Sequence, residues 1–282
     1  MINASFASFV SSLKENLKSP RILVVLCMMA LVIWVNVTPL YAMSDATGYR
    51  LNPLLLTFIV DDPVNQLFLM IAALLLFADA PFSNSNQVLV LQRSGRLPWI
   101  IGKIAFIVVM SVIYWIAANM IVVLFLMPCA TFATNGWGVI VNTLAETNAG
   151  SQFDIAIPFD SLTVKSMPPI KAMLLTLVME VLATVILALF IAVVNLVTST
   201  RAGIGVALFW VLLDLLIVNI LPYRAYLFSV ASHGRLSIFS VREASMPTIS
   251  QVTLFDVFAA LVLIVAVIAL FCKKDISVQS AE

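Results

Sequence analysis

The chain has 282 residues, of which 62% are hydrophobic and only 10% are charged, and its net charge is +1. Its mean hydropathy is +1.11. Soluble domains are about 45–50% apolar and about 25% charged, so this composition excludes a soluble enzyme. It also excludes a disordered chain, which needs low hydrophobicity and high charge. The remaining solvent is the lipid bilayer, and the widely spaced Cys27, Cys129 and Cys272 predict neither disulfides nor a metal site.

Residues 1–20 are predicted to form a cytoplasmic amphipathic helix that lies on the membrane surface. The apolar positions recur at helical spacing: Ile2, Phe6, Phe9, Val10, Leu13 and Leu17. Polar residues occupy the other side: Asn3, Ser5, Ser8, Ser11, Ser12, Lys14, Glu15 and Lys18. A signal peptide is the alternative, but the positive charges come late and no clean cleavage pattern follows.

Residues 21–282 are predicted to form an all-α transmembrane domain with six spans, since about 20 apolar residues cross a bilayer. The six segments are residues 22–43, 64–78, 97–127, 171–197, 204–221 and 254–272. Asp62 followed by Pro63 favours a helix start, because the carboxylate caps and the proline lacks an amide that needs a partner. The run 51–60 is too short to cross, so an interfacial or re-entrant piece is expected.

Both termini are predicted to be cytoplasmic, because Lys and Arg are enriched in cytoplasmic loops. This orientation leaves a cytoplasmic loop at 80–96 and outer segments at 44–63, 128–170 and 222–252. It places nine of the 15 Lys and Arg residues inside: Lys14, Lys18, Arg21, Arg93, Arg96, Lys103, Arg201, Lys273 and Lys274. The exception is the outer segment 223–251, which is unusually basic because it carries three arginines and His233.

Motifs for catalysis by this chain are missing from the sequence. It has no Gly-rich phosphate loop that ends in Lys-Ser or Lys-Thr, no His-Glu-x-x-His pair and no Gly-x-Ser-x-Gly elbow. His233 is the only histidine, so neither a serine triad elsewhere nor a zinc site has support. The chain is therefore predicted to be no enzyme, with no cofactor or metal of its own.

Charged residues inside predicted spans mark functional or packing positions, because each is expensive in hydrocarbon. Glu180 and Asp214 are the two candidates, and Thr184 lies on the same face as Glu180. That face of the fourth span is small and polar throughout: Thr176, Glu180, Thr184, Ala188, Ala192 and Asn195. We expect Glu180, Thr184 and Asp214 either to line a translocation cavity or to make polar contacts between helices.

Asp79 is expected to need compensation, because it ends the second span where the helix dipole disfavours a carboxylate. The local cations are Arg93, Arg96 and Lys103. Capping of the following turn is the alternative.

Residues 77–103 carry a resemblance to a known family. The stretches are Phe-Ala-Asp-Ala-Pro-Phe at 77–82, Val-Leu-Val-Leu-Gln-Arg-Ser-Gly-Arg at 88–96 and Trp-Ile-Ile-Gly-Lys at 99–103. Together with Trp137-Gly138 and Thr-Leu-Ala at 143–145, they resemble the membrane (permease) subunit of a bacterial ABC transporter. The class is that of type-2 permeases, which are six-helix exporters. The long outer segment 128–170 departs from that class.

The resemblance implies a function for each region outside the lipid. In that class the N-terminal helix lies along the inner surface, the first cytoplasmic loop docks into an ATPase, and the segment after the fifth span re-enters the membrane. Gln92, Arg93, Ser94 and Arg96 are then the contacts with the ATPase, although positive-inside anchoring is an alternative for the arginines.

The resemblance also implies partners. These are a cytoplasmic ABC ATPase that binds ATP and Mg, a second copy of this permease or a related permease, and membrane lipid, with no nucleic acid. The expected function is export of a hydrophobic or amphipathic substrate across the bacterial cytoplasmic membrane by alternating access. The alternative is a self-sufficient secondary carrier or channel that uses Glu180 and Asp214 as a proton or ion site.

Overall fold

The computed structural model describes residues 2–81, 91, 95–132, 136–198, 202–220, 223–240 and 247–273. In these ranges the chain is helical, apart from turns, short connections and one isolated β-bridge between Leu51 and Ala130. The helices are α1 Ile2–Leu17, α2 Pro20–Thr47, α3 Leu56–Asp61, α4 Pro63–Leu75, α5 Arg96–Leu126, α6 Val139–Glu146, α7 Ser161–Ser166, α8 Pro169–Thr198, α9 Ala202–Ile220, α10 Ser237–Ser240 and α11 Ile249–Lys273.

Four helices in the described residues, α2, α5, α8 and α11, are long and apolar enough to cross a membrane, as in a multi-pass membrane protein. The predicted segments 64–78 and 204–221 coincide with the shorter apolar helices α4 and α9. With 13 residues, α4 is about 20 Å long, against about 30 Å of hydrocarbon. The structure therefore bears out an all-α membrane fold, while six crossings stay a prediction.

Helix α8 lies at the centre of the bundle, where it packs against α4, α5, α9 and α11. Its small and polar face is buried along its whole length: Thr176, Glu180, Thr184, Ala188, Ala192 and Asn195. The face therefore lies inside the bundle. Outward-facing side chains of the surrounding helices are large and apolar, including Leu31, Phe209 and Leu261, as expected for contact with lipid.

Helix α1 forms as predicted, but its orientation corrects the expectation for its polar side. Ser8 and Ser12 are buried against α5, whereas Phe6 is 63% exposed. The Ser8 hydroxyl donates to the Trp99 carbonyl at 3.1 Å. Lys103 of α5 is buried and donates to the Ser12 hydroxyl at 2.6 Å. The small serine side chains let α1 and α5 approach closely, and they bind the Trp99 carbonyl and the Lys103 ammonium group. Part of the polar face of α1 therefore packs against α5.

Asp79 forms a salt bridge with a cation that was not among its expected partners. Arg21, one residue into α2, forms a salt bridge with Asp79. Arg96 instead donates to the Cys272 carbonyl at 2.8 Å, and Lys103 faces Ser12. Arg93 lies outside the described residues. Arg21 was missed because it lies 58 positions earlier in the chain, and only the contact between the ends of α2 and α4 brings it near.

The predicted start of α4 is confirmed. Asp62 accepts hydrogen bonds from the amides of Val64 and Asn65 at 3.0 and 2.8 Å, and Pro63 occupies the first helical position. The preceding short run forms α3, which is buried from Leu56 to Asp61. The indole ring of Trp137 packs against the ring of Phe58 in α3, with ring centroids 4.7 Å apart. Part of the segment 128–170 thus folds onto this end of the bundle.

Close packing between α1 and α5 depends on Gly102. A Cβ at this position would lie 2.8 Å from Ser8 Cβ and would overlap the Ser5 carbonyl. We expect Gly102→Val to destabilise the protein by about 1–3 kcal/mol through overpacking, measured as a lower thermal midpoint of the purified chain in detergent. Gly205→Val is the matched control, because a Cβ at Gly205 meets nothing within 4 Å. Equal shifts in the two variants would contradict this packing.

Candidate functional site

A cluster of polar side chains is buried at the end of the bundle opposite α1. It surrounds the plug segment, defined as residues 229–236, which lies between α4, α8, α9 and α11. The members of this polar cluster, all at most 4% exposed, are Asp61, Gln66, Glu180, Asp214, Ser229, Ser232, His233, Arg235 and Asp256. Because lipid and apolar protein offer no water, these groups must find partners within the chain.

The contact between α8 and α4 is made by Glu180 and Gln66. The Gln66 amide nitrogen donates to Glu180 Oε1 at 2.7 Å and also to the Ala231 carbonyl of the plug segment. Gly234 lies directly against the Glu180 carboxyl group, where any Cβ would overlap it. Glu180 Oε2 has no hydrogen-bond partner among the described residues. Glu180 therefore contacts both a helix and the plug segment.

Asp214 of α9 is held by two groups of the plug segment. Arg235 forms a salt bridge with Asp214 Oδ2, and the Ser229 hydroxyl donates to Oδ1 at 2.6 Å. Both members of the ion pair are almost completely buried, with side chains 3% and 5% exposed. Removal of either partner would leave an uncompensated buried charge.

His233 connects the plug segment to α11. Its Nδ1 lies 2.8 Å from Asp256 Oδ1, and its Nε2 lies 2.9 Å from the Tyr226 carbonyl oxygen. Asp256 is fully buried in the second turn of α11, and His233 is 2% exposed. The plug segment is therefore joined by side-chain contacts to α4, α8, α9 and α11.

Asp61, at the end of α3, accepts a hydrogen bond from the Ser237 amide at 3.2 Å, just beyond the plug segment. Burial raises the pKa of Asp61 from 3.8 to about 7, although hydrogen bonds from Ser237 and the charge of Arg235 act in the opposite direction. The other carboxylate oxygen has no partner among the described residues.

The third predicted site residue on a span, Thr184, lies one turn along α8 from Glu180. Its hydroxyl accepts a hydrogen bond from the Trp115 indole nitrogen at 2.8 Å, which joins α8 to α5. Glu180, Thr184 and Asp214 thus all make polar contacts with other elements. Neither of the two described pockets is lined by these three residues.

The four residues expected at an ATPase surface are described only in part. Gln92, Arg93 and Ser94 lie outside the described residues. Arg96 begins α5, and its contact with the Cys272 carbonyl joins α5 to the end of α11. The structure thus places Arg96 at the α1 end of the bundle, next to the last turn of α11.

Several residues of the polar cluster were not predicted from the sequence: Asp61, Gln66, His233, Arg235 and Asp256. One signal was available, since segment 223–251 is more basic than an outer loop usually is. Arg235 and His233 of that segment are the partners of buried carboxylates. Gln66 and Asp256 carried no such signal, because one glutamine and one aspartate near predicted span ends are ordinary.

The polar cluster joins helices of the bundle through hydrogen bonds and ion pairs. Among the described residues, no group of three or more His, Cys, Asp or Glu side chains could hold a metal ion. No family model, curated protein or solved structure matches the chain.

We expect Asp214→Asn to destabilise the protein by roughly 3–5 kcal/mol, because Arg235 would keep a buried charge without its counterion. The measurement is thermal unfolding in detergent. The double variant Asp214→Asn with Arg235→Gln should recover most of the lost stability. Lys165→Met is the control, since the Lys165–Glu146 pair is 62% and 55% exposed and should contribute less than about 1 kcal/mol. A milder effect of Asp214→Asn than of the control would contradict the assignment.

Stability should also depend on pH through Asp61. Its pKa is about 7 in the folded protein against an ordinary value of 3.8, so the folded state binds the proton more tightly. The stability from this proton is fully present below the ordinary pKa and is lost as the pH rises to about 7. In Asp61→Asn, the thermal midpoint should change less between pH 5 and pH 7 than it does in the wild type. An unchanged slope would show that another group titrates.

Proposed function

We propose that this chain is the permease subunit of an ATP-driven ABC transporter of the type-2 permease class. A separate cytoplasmic ATPase binds ATP and Mg, and a second copy of this chain or a related permease completes the transporter. In this proposal α4 and α9 complete six crossings, and both termini face the cytoplasm. The complex exports a hydrophobic or amphipathic substrate across a bacterial cytoplasmic membrane by alternating access.

The observation that carries this proposal is the anchoring of the loop between α4 and α5 at both ends. At the end of α4, Asn16 donates to the Leu76 carbonyl at 3.4 Å, and Arg21 pairs with Asp79. At the start of α5, Arg96 reaches the last turn of α11, and α1 packs along α5. The loop is thus flanked by contacts with α1, α2 and α11.

Asn195, near the end of α8, connects this central helix to the same loop. Its side-chain amide donates to the carbonyls of Ala78 and Ala80 at 3.3 and 2.7 Å, and its oxygen accepts from the Gly203 amide at 2.8 Å. One side chain therefore joins the chain after α4, the end of α8 and the start of α9. A force on the loop would be passed to these helices together, as rigid-body movement in alternating access requires.

Close packing inside the chain supports a substrate pathway between two permease chains rather than within one. The described pockets lie at the surface: one of about 370 Å³ beside Trp137 and one of about 430 Å³ beside Phe6 of α1. Glu180 and Asp214 are engaged by the plug segment and Gln66. An apolar pathway at the interface between two chains suits the apolar outer faces of the helices.

A self-sufficient secondary carrier or channel is the alternative. The observation in its favour is the pair of buried carboxylates, Glu180 and Asp214, each on a different helix of the bundle. Such a protein would transport without an ATPase and would depend on a proton or ion gradient. It would also lose transport in Glu180→Gln or Asp214→Asn.

The test is purification of the tagged full chain from its native cells in mild detergent. We expect a stoichiometric P-loop ATPase to copurify and ATP hydrolysis to be coupled to transport in reconstituted vesicles. The double charge reversal Arg93→Glu and Arg96→Glu should reduce the coupling of ATP hydrolysis to transport at least tenfold. The chain should still insert into the membrane. Lys171→Glu is the matched control, because this exposed cation lies at the opposite end of the bundle.

Two outcomes would contradict the proposal. A chain that purifies alone and transports in response to a proton gradient would support the secondary carrier. Unchanged coupling after the double charge reversal would show that the loop at 80–96 does not dock an ATPase.

A further inference from the structure

The hydrogen bonds of His233 determine how many protons it shares with Asp256. Nε2 faces the Tyr226 carbonyl oxygen at 2.9 Å, and a carbonyl only accepts, so Nε2 carries a hydrogen. Nδ1 lies 2.8 Å from Asp256 Oδ1, and two lone pairs at this distance would repel, so a proton lies between them. The pair therefore holds two protons and has zero net charge.

This protonation state fits the charges that surround the plug segment. From α9, Asp214 is neutralised by Arg235 of the plug segment itself. From α8, Glu180 accepts from Gln66 of α4, a helix with no titratable residue. From α3, Asp61 faces Ser237 beyond the plug segment. His233 is the ion-pair partner of Asp256, so loss of the shared proton would leave a buried negative charge on the pair.

His233 is closely surrounded by other side chains. Phe255 of α11 lies edge-on to the imidazole with centroids 6.3 Å apart. Gly234, the next residue, is pressed against the Glu180 carboxyl group, and Ser232 and His233 are at most 2% exposed.

We propose that His233 and Asp256 form a binding site for one proton, and that this proton holds the plug segment between α4, α8, α9 and α11. The proton comes from the aqueous phase when the plug segment packs against α11. When the plug segment withdraws, His233 and Asp256 separate, and the shared proton is released to water. This linkage of protonation to plug position does not depend on the proposed transport function.

Hydrogen exchange of the full-length chain in lipid nanodiscs, followed by mass spectrometry between pH 6 and pH 9, tests the linkage. The readout is the protection factor of the amides of Ser232 and Arg235, which donate within the segment to Ser229 and Ser232 carbonyls. The protection factor already corrects for the intrinsic pH dependence of exchange. We expect it to fall about tenfold per pH unit above pH 7, because one proton is released on withdrawal.

His233→Gln and Asp256→Asn should each make the protection factor independent of pH. The glutamine cannot titrate, and the amide introduced at position 256 can donate to Nδ1 without an extra proton. Lys165→Met is the control that should keep the wild-type slope, because this exposed side chain pairs with Glu146 outside the polar cluster. Size-exclusion profiles establish which variants are folded.

Three results would overturn the proposal. The first is a flat protection factor in the wild-type protein, a result that needs no variant. The second is a wild-type slope that persists in a folded His233→Gln or Asp256→Asn variant. The third is loss of the slope in Glu180→Gln with its retention in His233→Gln, which would assign the proton to Glu180.

Discussion

Buried polar groups of this chain depend on partners from other parts of the chain, because neither hydrocarbon nor the packed interior supplies water. The ion pair between Asp214 and Arg235 meets this requirement across the end of the bundle. Once Arg235 is fixed there, the neighbouring Gly234 is brought against Glu180 and His233 against Asp256. The position of the plug segment therefore follows from a small number of buried charged groups that it contacts.

The two ends of the bundle are held together by different kinds of contact. At the plug end, side chains pair with side chains in a dry interior, where geometry must be good for the pairs to be stable. At the α1 end, side chains of Asn16, Arg96 and Asn195 mostly bind free carbonyls at helix ends. Such carbonyls are unsatisfied in any helix, so this end resembles a set of caps shared between neighbouring helices.

Sequence periodicity and composition predicted the helices well but not their partners. The capped start at Asp62 and the buried face of α8 followed from local rules that need only neighbouring residues. The partners of Asp79 and Asp214 could not be derived this way, since Arg21 and Arg235 approach them only through tertiary packing. For the same reason, Ser8 and Ser12 were expected at the water surface although they face α5. The all-α membrane fold was therefore predictable, whereas most of the polar cluster was not.

Chain order gives the Asp214–Arg235 pair a consequence for biogenesis. Arg235 is synthesised 21 residues after Asp214, so α9 leaves the ribosome with a carboxylate that has no counterion yet. An aspartate in the middle of a helix opposes insertion by about 2.5–3.5 kcal/mol. The plug segment supplies the counterion of Asp214. We therefore expect α9, the plug segment and α11 to enter the membrane together.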